Sequence, residues 1–228
     1  MQNRVYYRRK NQVHIQPIGA KFSVTILAFD AVPNAKLDQV HKEYRHQISL
    51  IDSSSSENKA LEKKRAANEY QSKFEALLAA KNNQSHPFSN PEVADCILKQ
   101  LDRHNGEWYT LEAAIVMSNH IHFLIDTSVQ LPDNTLNGSL PDNYMPLNRI
   151  VGRIKGAASF EINKRLDRTG PLWSSGYYDR YIRSPSHFQQ AAWYILMNAE
   201  KAGIVDEWEA YLYVRYRPGL LEEIAWTG

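Results

Sequence analysis

The stretch EWYTLEAAIVMSNHIHFLIDTS, residues 107–128, contains two apolar runs that are joined by Ser118 and Asn119. Apolar runs of this length, separated by a short polar pair, predict a β-hairpin. The second run carries His120 and His122 at positions where Val or Ile would pack better. A buried imidazole without a partner costs free energy, so some group is expected to satisfy both rings.

Two explanations of this histidine pair stay open at the level of the motif. Residues i and i+2 of a strand point to the same side, about 6.5 Å apart, so both rings could bind one metal ion. Ordinary hydrogen bonds would satisfy them equally well. The chain has eight histidines, and an H-x-H match arises easily by chance at that frequency, so the spacing alone does not decide.

The segments around the hairpin predict a mixed fold. Residues 20–30 alternate like a strand, Asn90 and Pro91 open a helix, and residues 147–166 have an apolar helical stripe. Ser184 and Pro185 open a final helix that is predicted to run to Ala202, with Gly203 as its stop. With a loop and strand expected in 169–184 and a strand in the aromatic tail 206–228, the order predicts an α+β fold, in which helices pack on a central antiparallel sheet.

Two segments interrupt this plan. Residues 36–85 are rich in Lys, Glu, Ala and Gln with apolar residues at helical spacing, and they predict a helical insertion within a single domain spanning 1–228. Within it, Ser54 followed by Glu57 is a capping-box signal for a helix start. Residues 128–146, rich in Pro, Asn, Gly and Asp, predict a loop.

Length and composition exclude several classes of protein. The chain has 228 residues, of which 43% are hydrophobic and 23% charged, as expected for a soluble globular protein. No apolar run approaches the ~20 residues needed to span a bilayer, and the N-terminus lacks a signal-peptide pattern. The single cysteine, Cys96, excludes a disulfide framework and is expected in the core. We therefore expect a cytoplasmic protein without a membrane partner.

Positive charge is concentrated in two parts of the chain. The net charge is only +2, but residues 1–20 carry four basic residues and no acidic one. Residues 147–183 carry eight basic and three acidic residues, an excess of five positive charges. Such clustering suggests a polyanion such as DNA, with an ordinary solvated surface as the alternative. The candidate DNA-binding residues are Arg8, Arg9, Lys10, Arg149, Arg153, Lys155, Arg180 and Arg183.

The final predicted helix carries a polar ridge in addition to its apolar face. Tyr194 lies in the middle of this ridge and Asn198 lies one turn further on. An exposed ridge needs no special purpose. If it faces the histidines, however, it supplies a hydroxyl nucleophile and an amide oxygen ligand, in a site suited to Mn²⁺ and tolerable for Mg²⁺. The ridge consists of His187, Gln190, Tyr194, Asn198 and Lys201.

Three stretches, AIVMSNHIHFLI, GPLWSSGYYDRYIR and AAWYILMNAEKAGIV, resemble the single-tyrosine HUH transposases, in particular the REP-associated tyrosine transposases of bacteria. The resemblance covers most of the chain except roughly 36–85 and 128–146. Two positions depart from the family pattern, since Ser118 and Ala199 stand where the family often has proline. Both changes affect the stiffness of a turn more than the chemistry.

The resemblance implies a ferredoxin-like core of the HUH endonuclease type. It implies His120, His122 and Asn198 as ligands of a divalent metal, Mg²⁺ or Mn²⁺, and Tyr194 as the catalytic nucleophile beside the histidines. The implied activity is DNA transposition, by cleavage and rejoining of single-stranded DNA near a REP hairpin through a 5′-phosphotyrosine. REP-associated members look monomeric, whereas their insertion-sequence relatives are dimers, so a monomer is expected and a dimer is the alternative.

Two other functions remain as alternatives. The chain could be a non-catalytic, hairpin-DNA-binding relic of a transposase, or a metallohydrolase that uses the H-x-H pair to activate water.

The aromatic residues Trp173, Tyr177 and Tyr178 offer rings on which unpaired bases could stack, with core packing as the alternative.

Overall fold

A computed structural model describes residues 4–9, 12–80, 86–131 and 140–225, with side chains from residue 16 onward. The chain divides into two compact units. The first comprises the residues up to Phe29 and from Pro87 onward, and the second is Asp30–His86. The strands are β1 Arg4–Arg9, β2 Gln12–Pro17, β3 Lys21–Leu27, β4 Thr110–Val116, β5 His120–Asp126, β6 Tyr178–Tyr181 and β7 Val214–Tyr216. The α-helices are α1 Asn34–Ser53, α2 Lys59–Leu78, α3 Pro91–Asp102, α4 Leu147–Arg165, α5 Pro185–Leu196, α6 Asn198–Lys201 and α7 Leu220–Ile224.

A five-stranded antiparallel sheet forms the centre of the first unit, in the order β6-β3-β5-β4-β7. Along the chain the elements follow as β3, α3, β4, β5, α4 and β6. If these four strands are numbered 1 to 4 along the chain, they lie in the sheet in the order 4-1-3-2. That arrangement is the ferredoxin-like one, so the predicted α+β fold with a central antiparallel sheet is confirmed. Strand β7 extends the sheet at one edge, as the aromatic tail suggested, and β1 and β2 form a separate two-stranded sheet.

The predicted hairpin is formed by β4 and β5. The amide of Met117 donates a hydrogen bond to the carbonyl of His120 at 2.9 Å and closes the turn through Ser118 and Asn119. Strand β5 is the middle strand of the five and pairs with β3 on one side and β4 on the other. Its backbone is therefore fixed from both sides.

The two faces of the sheet are covered by different helices. On one face, Ala113, Ile115 and Leu124 pack with Ala192 and Leu196 of α5 in a buried cluster. On the other face lie the alternate residues of β5, all of them buried, and α3 packs with α4 on that side. Because side chains alternate along a strand, the histidines of β5 share the face that α5 covers.

The predicted helix starts in the first unit are confirmed. The Asn90 side chain accepts a hydrogen bond from the Glu92 amide at 2.9 Å, and Ser184 Oγ accepts one from the His187 amide at 3.2 Å. Both caps are followed by proline, whose fixed φ suits the first helical position. Helix α4 also lies where the apolar stripe predicted it.

The prediction of one continuous final helix to Ala202 is wrong. The helix is broken at Met197, whose ψ of 1° lies outside the helical range, and it divides into α5 and α6. Gly203 does terminate α6, with a φ of 67° that favours glycine. Tyr194 and Asn198 consequently lie on either side of a break.

The second unit, Asp30–His86, is a pair of helices. Cross-helix pairs such as Glu43 with Lys73, and Gln47 with Glu69, show that α1 and α2 run antiparallel. The capping-box prediction is wrong, because Ser54 ends α1 and α2 begins only at Lys59.

In the part of the chain that the structure describes, no helix combines the length and apolarity needed to cross a lipid bilayer.

Cys96 is buried in α3, as predicted, and its burial raises the pKa of the thiol to about 11. A thiol with that pKa stays protonated at neutral pH, so Cys96 acts as a core residue.

Candidate active site

The histidine rings lie next to each other on the middle of the sheet. Their centroids are 4.6 Å apart at an interplanar angle of 74°. His120 is 5% exposed and His122 is 1% exposed, so both are buried between the sheet and α5. The two rings point to the same side, as their spacing in a strand predicts.

Each ring is held by a hydrogen bond at its Nδ1 atom. His120 Nδ1 lies 2.6 Å from Asn119 Oδ1, and His122 Nδ1 lies 2.7 Å from Thr25 Oγ1. An amide oxygen only accepts, so Nδ1 of His120 carries the proton and its Nε2 keeps a lone pair. Metal-binding histidines are usually oriented in this way, through an oxygen partner on the other ring nitrogen.

Burial keeps both rings neutral. It lowers the pKa of His120 to about 3, and burial together with the neighbouring His120 lowers the pKa of His122 well below its usual range. A neutral imidazole is the form that binds a metal ion. The site therefore offers two such nitrogens on one side of the sheet at neutral pH.

Helix α5 brings Tyr194 to the histidines. Its hydroxyl lies 3.3 Å from Nε2 of His122, and the two ring centroids are 5.2 Å apart. If the hydroxyl donates to Nε2, then Nδ1 of His122 carries the proton and donates to Thr25, which matches the tautomer of His120. The ammonium of Lys201 lies 5.8 Å from the centre of the tyrosine ring.

The remaining residues of the polar ridge are less uniformly placed. Asn198 is half-buried at the first position of α6, directly after the break at Met197. His187 accepts a hydrogen bond from the Arg183 amide at 3.4 Å, while Gln190 and Lys201 are exposed. The ridge is therefore divided between a buried part around Tyr194 and solvent-facing parts.

The two imidazole nitrogens of the histidine pair are donors that fit a divalent transition-metal ion. Imidazole nitrogen suits Mn²⁺ better than Mg²⁺, which prefers oxygen ligands. Among the described residues, no three His, Cys, Asp or Glu side chains form a cluster that could hold a metal. A metal bound by these two rings would therefore need further ligands of another kind, such as an amide oxygen, water or a phosphate oxygen.

The predicted DNA-binding residues have different surroundings. Lys10 lies outside the described residues, and for Arg8 and Arg9 only the backbone, in strand β1, is described. Lys155 is half-buried and donates to the carbonyls of Ser174 and Gly176, both at 2.8 Å. Its ammonium thus holds the loop between α4 and β6. The four remaining residues, Arg149, Arg153, Arg180 and Arg183, are exposed.

Strand β6 brings Arg180 to the histidine side of the sheet. Tyr178 pairs with Thr25 and Arg180 pairs with Ser23, and paired residues of antiparallel strands share a face. Since Thr25 pairs with His122 on its other side, Tyr178 and Arg180 lie on the same face as the histidines. An exposed guanidinium therefore lies at the edge of this face.

Of the three aromatic residues considered for base stacking or core packing, two are packed in the core. Trp173 is buried, donates from Nε1 to the carbonyl of Lys155 at 3.0 Å, and contacts the ring of Phe88. Tyr177 is buried and its hydroxyl accepts a hydrogen bond from Gln16 at 2.8 Å. Only Tyr178 is partly exposed, so core packing explains Trp173 and Tyr177.

Sequence reasoning did not identify Thr25 and Asn119 as supports of the site. Asn119 lies in the hairpin turn, where a polar residue is expected for the turn itself. Thr25 is one of three polar residues in a strand of alternating pattern, so its type alone carries no signal. Its role depends on the pairing of β3 with β5, which joins positions almost one hundred residues apart.

Neither a protein-family model nor a curated protein matches the sequence. Among solved structures, the chain is similar to one described as a REP-associated tyrosine transposase bound to a REP hairpin. The two are 13% identical, with 97% of this chain and 90% of that chain covered, and the TM-score is 0.48. A similarity of this size supports neither a family assignment nor an activity by itself.

Proposed function

We propose that this protein is a metal-dependent, single-stranded DNA endonuclease and strand transferase that works through a covalent 5′-phosphotyrosine. The observation that carries the proposal is the hydroxyl of Tyr194 at 3.3 Å from Nε2 of His122, with the His120 ring beside it. A half-buried potential nucleophile and two buried, neutral imidazoles thus share one site. The sequence resemblance to HUH transposases supports the same roles.

His120 and His122 would hold the metal through their Nε2 atoms, and Asn198 is the proposed third protein ligand. When bound, a divalent ion supplies a Lewis acid that stabilises negative charge on a phosphate oxygen. Asn119 and Thr25 keep the two rings in the binding tautomer and orientation. Nε2 of His122 has a single lone pair, so a metal held there would replace the hydrogen bond from Tyr194 and leave the phenol oxygen without that bond.

In the proposed reaction, the phenol oxygen of Tyr194 attacks the scissile phosphorus and loses its proton. The bond between phosphorus and the 3′-oxygen of the upstream strand breaks, and that oxygen takes up a proton. The products are a 5′-phosphotyrosine and a free 3′-hydroxyl. Attack of a 3′-hydroxyl on the phosphotyrosine then rejoins DNA and restores the phenol, so no external energy source is needed.

DNA as the substrate is supported by the distribution of charge. Arg180 and Arg183 are exposed at and after the edge strand β6, and Arg149 and Arg153 are exposed on α4. Guanidinium groups bind phosphate with directed hydrogen bonds, which suits them to a nucleic-acid backbone. A preference for hairpins, in particular REP hairpins, is proposed from the sequence resemblance alone.

The test is incubation with single-stranded hairpin DNA, labelled at its 5′ or 3′ end, in the presence of Mn²⁺. We expect an adduct that survives denaturation, carries the 3′ label and disappears in Tyr194→Phe. Tyr216→Phe, which removes an exposed hydroxyl from β7, is the matched control and should form the adduct normally.

Other outcomes would favour the alternative functions. Cleavage that persists in Tyr194→Phe without any adduct would exclude the tyrosine mechanism and favour a metallohydrolase. Binding of hairpin DNA without cleavage by the wild type, across Mn²⁺ and Mg²⁺, would favour a DNA-binding relic. An adduct that carries the 5′ label would show the opposite polarity of attack.

A further inference from the structure

A groove lies between α4 and the loop that leads into β6, outside the histidine site. Its cavity measures about 420 Å³. One wall is a strip of α4 that contains Asn148, Gly152, Gly156 and Ser159, and the other wall is the segment 171–177. Lys155 holds the two walls together through its bonds to the carbonyls of Ser174 and Gly176.

The glycines in the helical wall have no structural explanation in the protein itself. Gly152 and Gly156 lie in the interior of α4, where glycine is less favourable than alanine. A Cβ atom added at either position would meet no heavy atom of the described residues within 4 Å, so the described side chains do not require glycine there. What the glycines do provide is a wall of bare backbone, which allows another molecule to approach closely.

The chemistry of the groove fits a single nucleic-acid strand. The carboxamide oxygen of Asn148, in the helical wall, is buried without a hydrogen-bond partner among the described residues. A turn of the Asn148 side chain into the groove would let this oxygen accept from a donor such as the exocyclic amine of an unpaired base. Arg153 lies about 60° around the helix from Gly156 and is exposed, as is Arg149 one turn earlier, so phosphates along this rim would meet positive charge.

Hydrogen bonds connect the loop wall with the histidine site. Ser174 donates from its amide to Leu27 at 3.0 Å and from its hydroxyl to Ala28 at 2.7 Å. The Ala28 amide donates to the carbonyl of Asn119 at 2.9 Å, and the Asn119 side chain holds His120. A strand in the groove would thus contact a loop that is connected through Ala28 to Asn119, the residue that holds His120.

We propose that the groove between α4 and residues 171–177 binds an unpaired stretch of the substrate strand outside the histidine site. This inference rests on the proposed function for its substrate. It differs from a general basic surface because it depends on the absence of side chains at Gly152 and Gly156. Filling the groove should therefore weaken DNA binding without weakening the fold.

The test compares Gly156→Gln with Phe160→Gln, which changes an exposed side chain on the same helix outside the groove. Binding of a fluorescent 20-nucleotide single strand is measured by anisotropy at low salt, and stability by thermal unfolding. We expect Gly156→Gln to lower the affinity on the order of tenfold or more, at an unchanged or raised unfolding temperature. Phe160→Gln should bind like the wild type.

A second variant keeps the proposal testable if Gly156→Gln fails to fold. In Arg149→Ala/Arg153→Ala, whose side chains are exposed, the dependence of log affinity on log salt should become shallower by about two. If Gly156→Gln and wild type bind single-stranded DNA equally well and Tyr194-dependent cleavage is intact, the groove proposal is wrong. The proposed function would still stand. A matched duplex that binds with the same dependence on Gly156 would overturn the assignment to a single strand. No binding of single-stranded DNA by the wild type would overturn both proposals.

Discussion

The two faces of strand β5 show how one short sequence serves two purposes. Ile121, Phe123 and Ile125 point to the side of α3 and are completely buried among apolar residues. His120 and His122 point to the side of α5 and are almost as deeply buried. The apolar face is satisfied by packing alone, whereas each imidazole needs a particular oxygen atom at its Nδ1.

This difference separates stability from chemistry within the same strand. Apolar residues gain free energy from leaving water, and any well-shaped neighbour supports them. The imidazoles gain nothing from burial and depend on Asn119 and Thr25 to offset its cost. We therefore expect substitutions on the two faces to have effects of different kinds.

The largest loss of stability is expected from the apolar face. Phe123→Ala removes a fully buried ring from the middle strand and should lower the free energy of unfolding by about 3–5 kcal/mol. Urea denaturation followed by circular dichroism measures it. Phe160→Ala, at an exposed position, is the control and should change stability little. A similar small effect for Phe123→Ala would contradict the assignment of this face to the core.

The histidine face should make the metal-free protein sensitive to acid. His120 has a pKa of about 3 when folded and about 6.5 when unfolded, so the unfolded chain binds more protons between these values. The stability contributed by neutral His120 is thus complete above about pH 6.5, and it falls by several kcal/mol as the pH approaches about 3.

Denaturation in EDTA at a series of pH values measures this effect. His120→Leu should flatten the decline, while His46→Gln, at an exposed position of α1, should leave it unchanged. The same slope in wild type and His120→Leu would show that another group controls acid unfolding.

A smaller change should test the support of His122. Thr25→Val preserves shape but removes the oxygen that contacts Nδ1, so it should cost about 1–3 kcal/mol of stability. Mn²⁺ affinity, measured by calorimetry, should fall by about 10–100-fold, as is usual for the loss of such a partner. Thr25→Ser keeps the hydroxyl and should stay close to the wild type. An unchanged Mn²⁺ affinity in Thr25→Val would argue against a metal at His122.

The smallest effect is expected at the start of the helix that covers the histidine face. Ser184→Ala removes the cap that accepts from the His187 amide and should cost about 1 kcal/mol, measured by urea denaturation. Since Tyr194 lies ten residues further along α5, formation of the DNA adduct should continue. Loss of the adduct at full stability would mean that Ser184 acts on the site directly.

Local patterns predicted those features that depend on neighbouring residues. The hairpin, the caps at Asn90 and Ser184, and the common side of the two histidines follow from spacing and from turn chemistry. The break at Met197 was not predictable, because the helical pattern continues through it in the sequence.

The contacts of Thr25 and Lys155 escaped prediction for a different reason. Each forms between segments that meet only after the sheet has assembled, so no local pattern records them. Composition marked Lys155 as a candidate DNA-binding residue, and the bonds of its ammonium to the 174–176 loop add a structural role that composition does not record.

The position of β5 in the middle of the sheet determines which part of the site can adapt. The backbone on both sides of the histidines is hydrogen-bonded to a neighbouring strand, so the rings are already ordered before any ligand arrives. Tyr194 is carried by a helix that is fixed to the sheet by side chains such as those of Ala192 and Leu196. Such a helix can shift as a rigid body without breaking its internal hydrogen bonds, so any adjustment of the site falls to the tyrosine and not to the histidines.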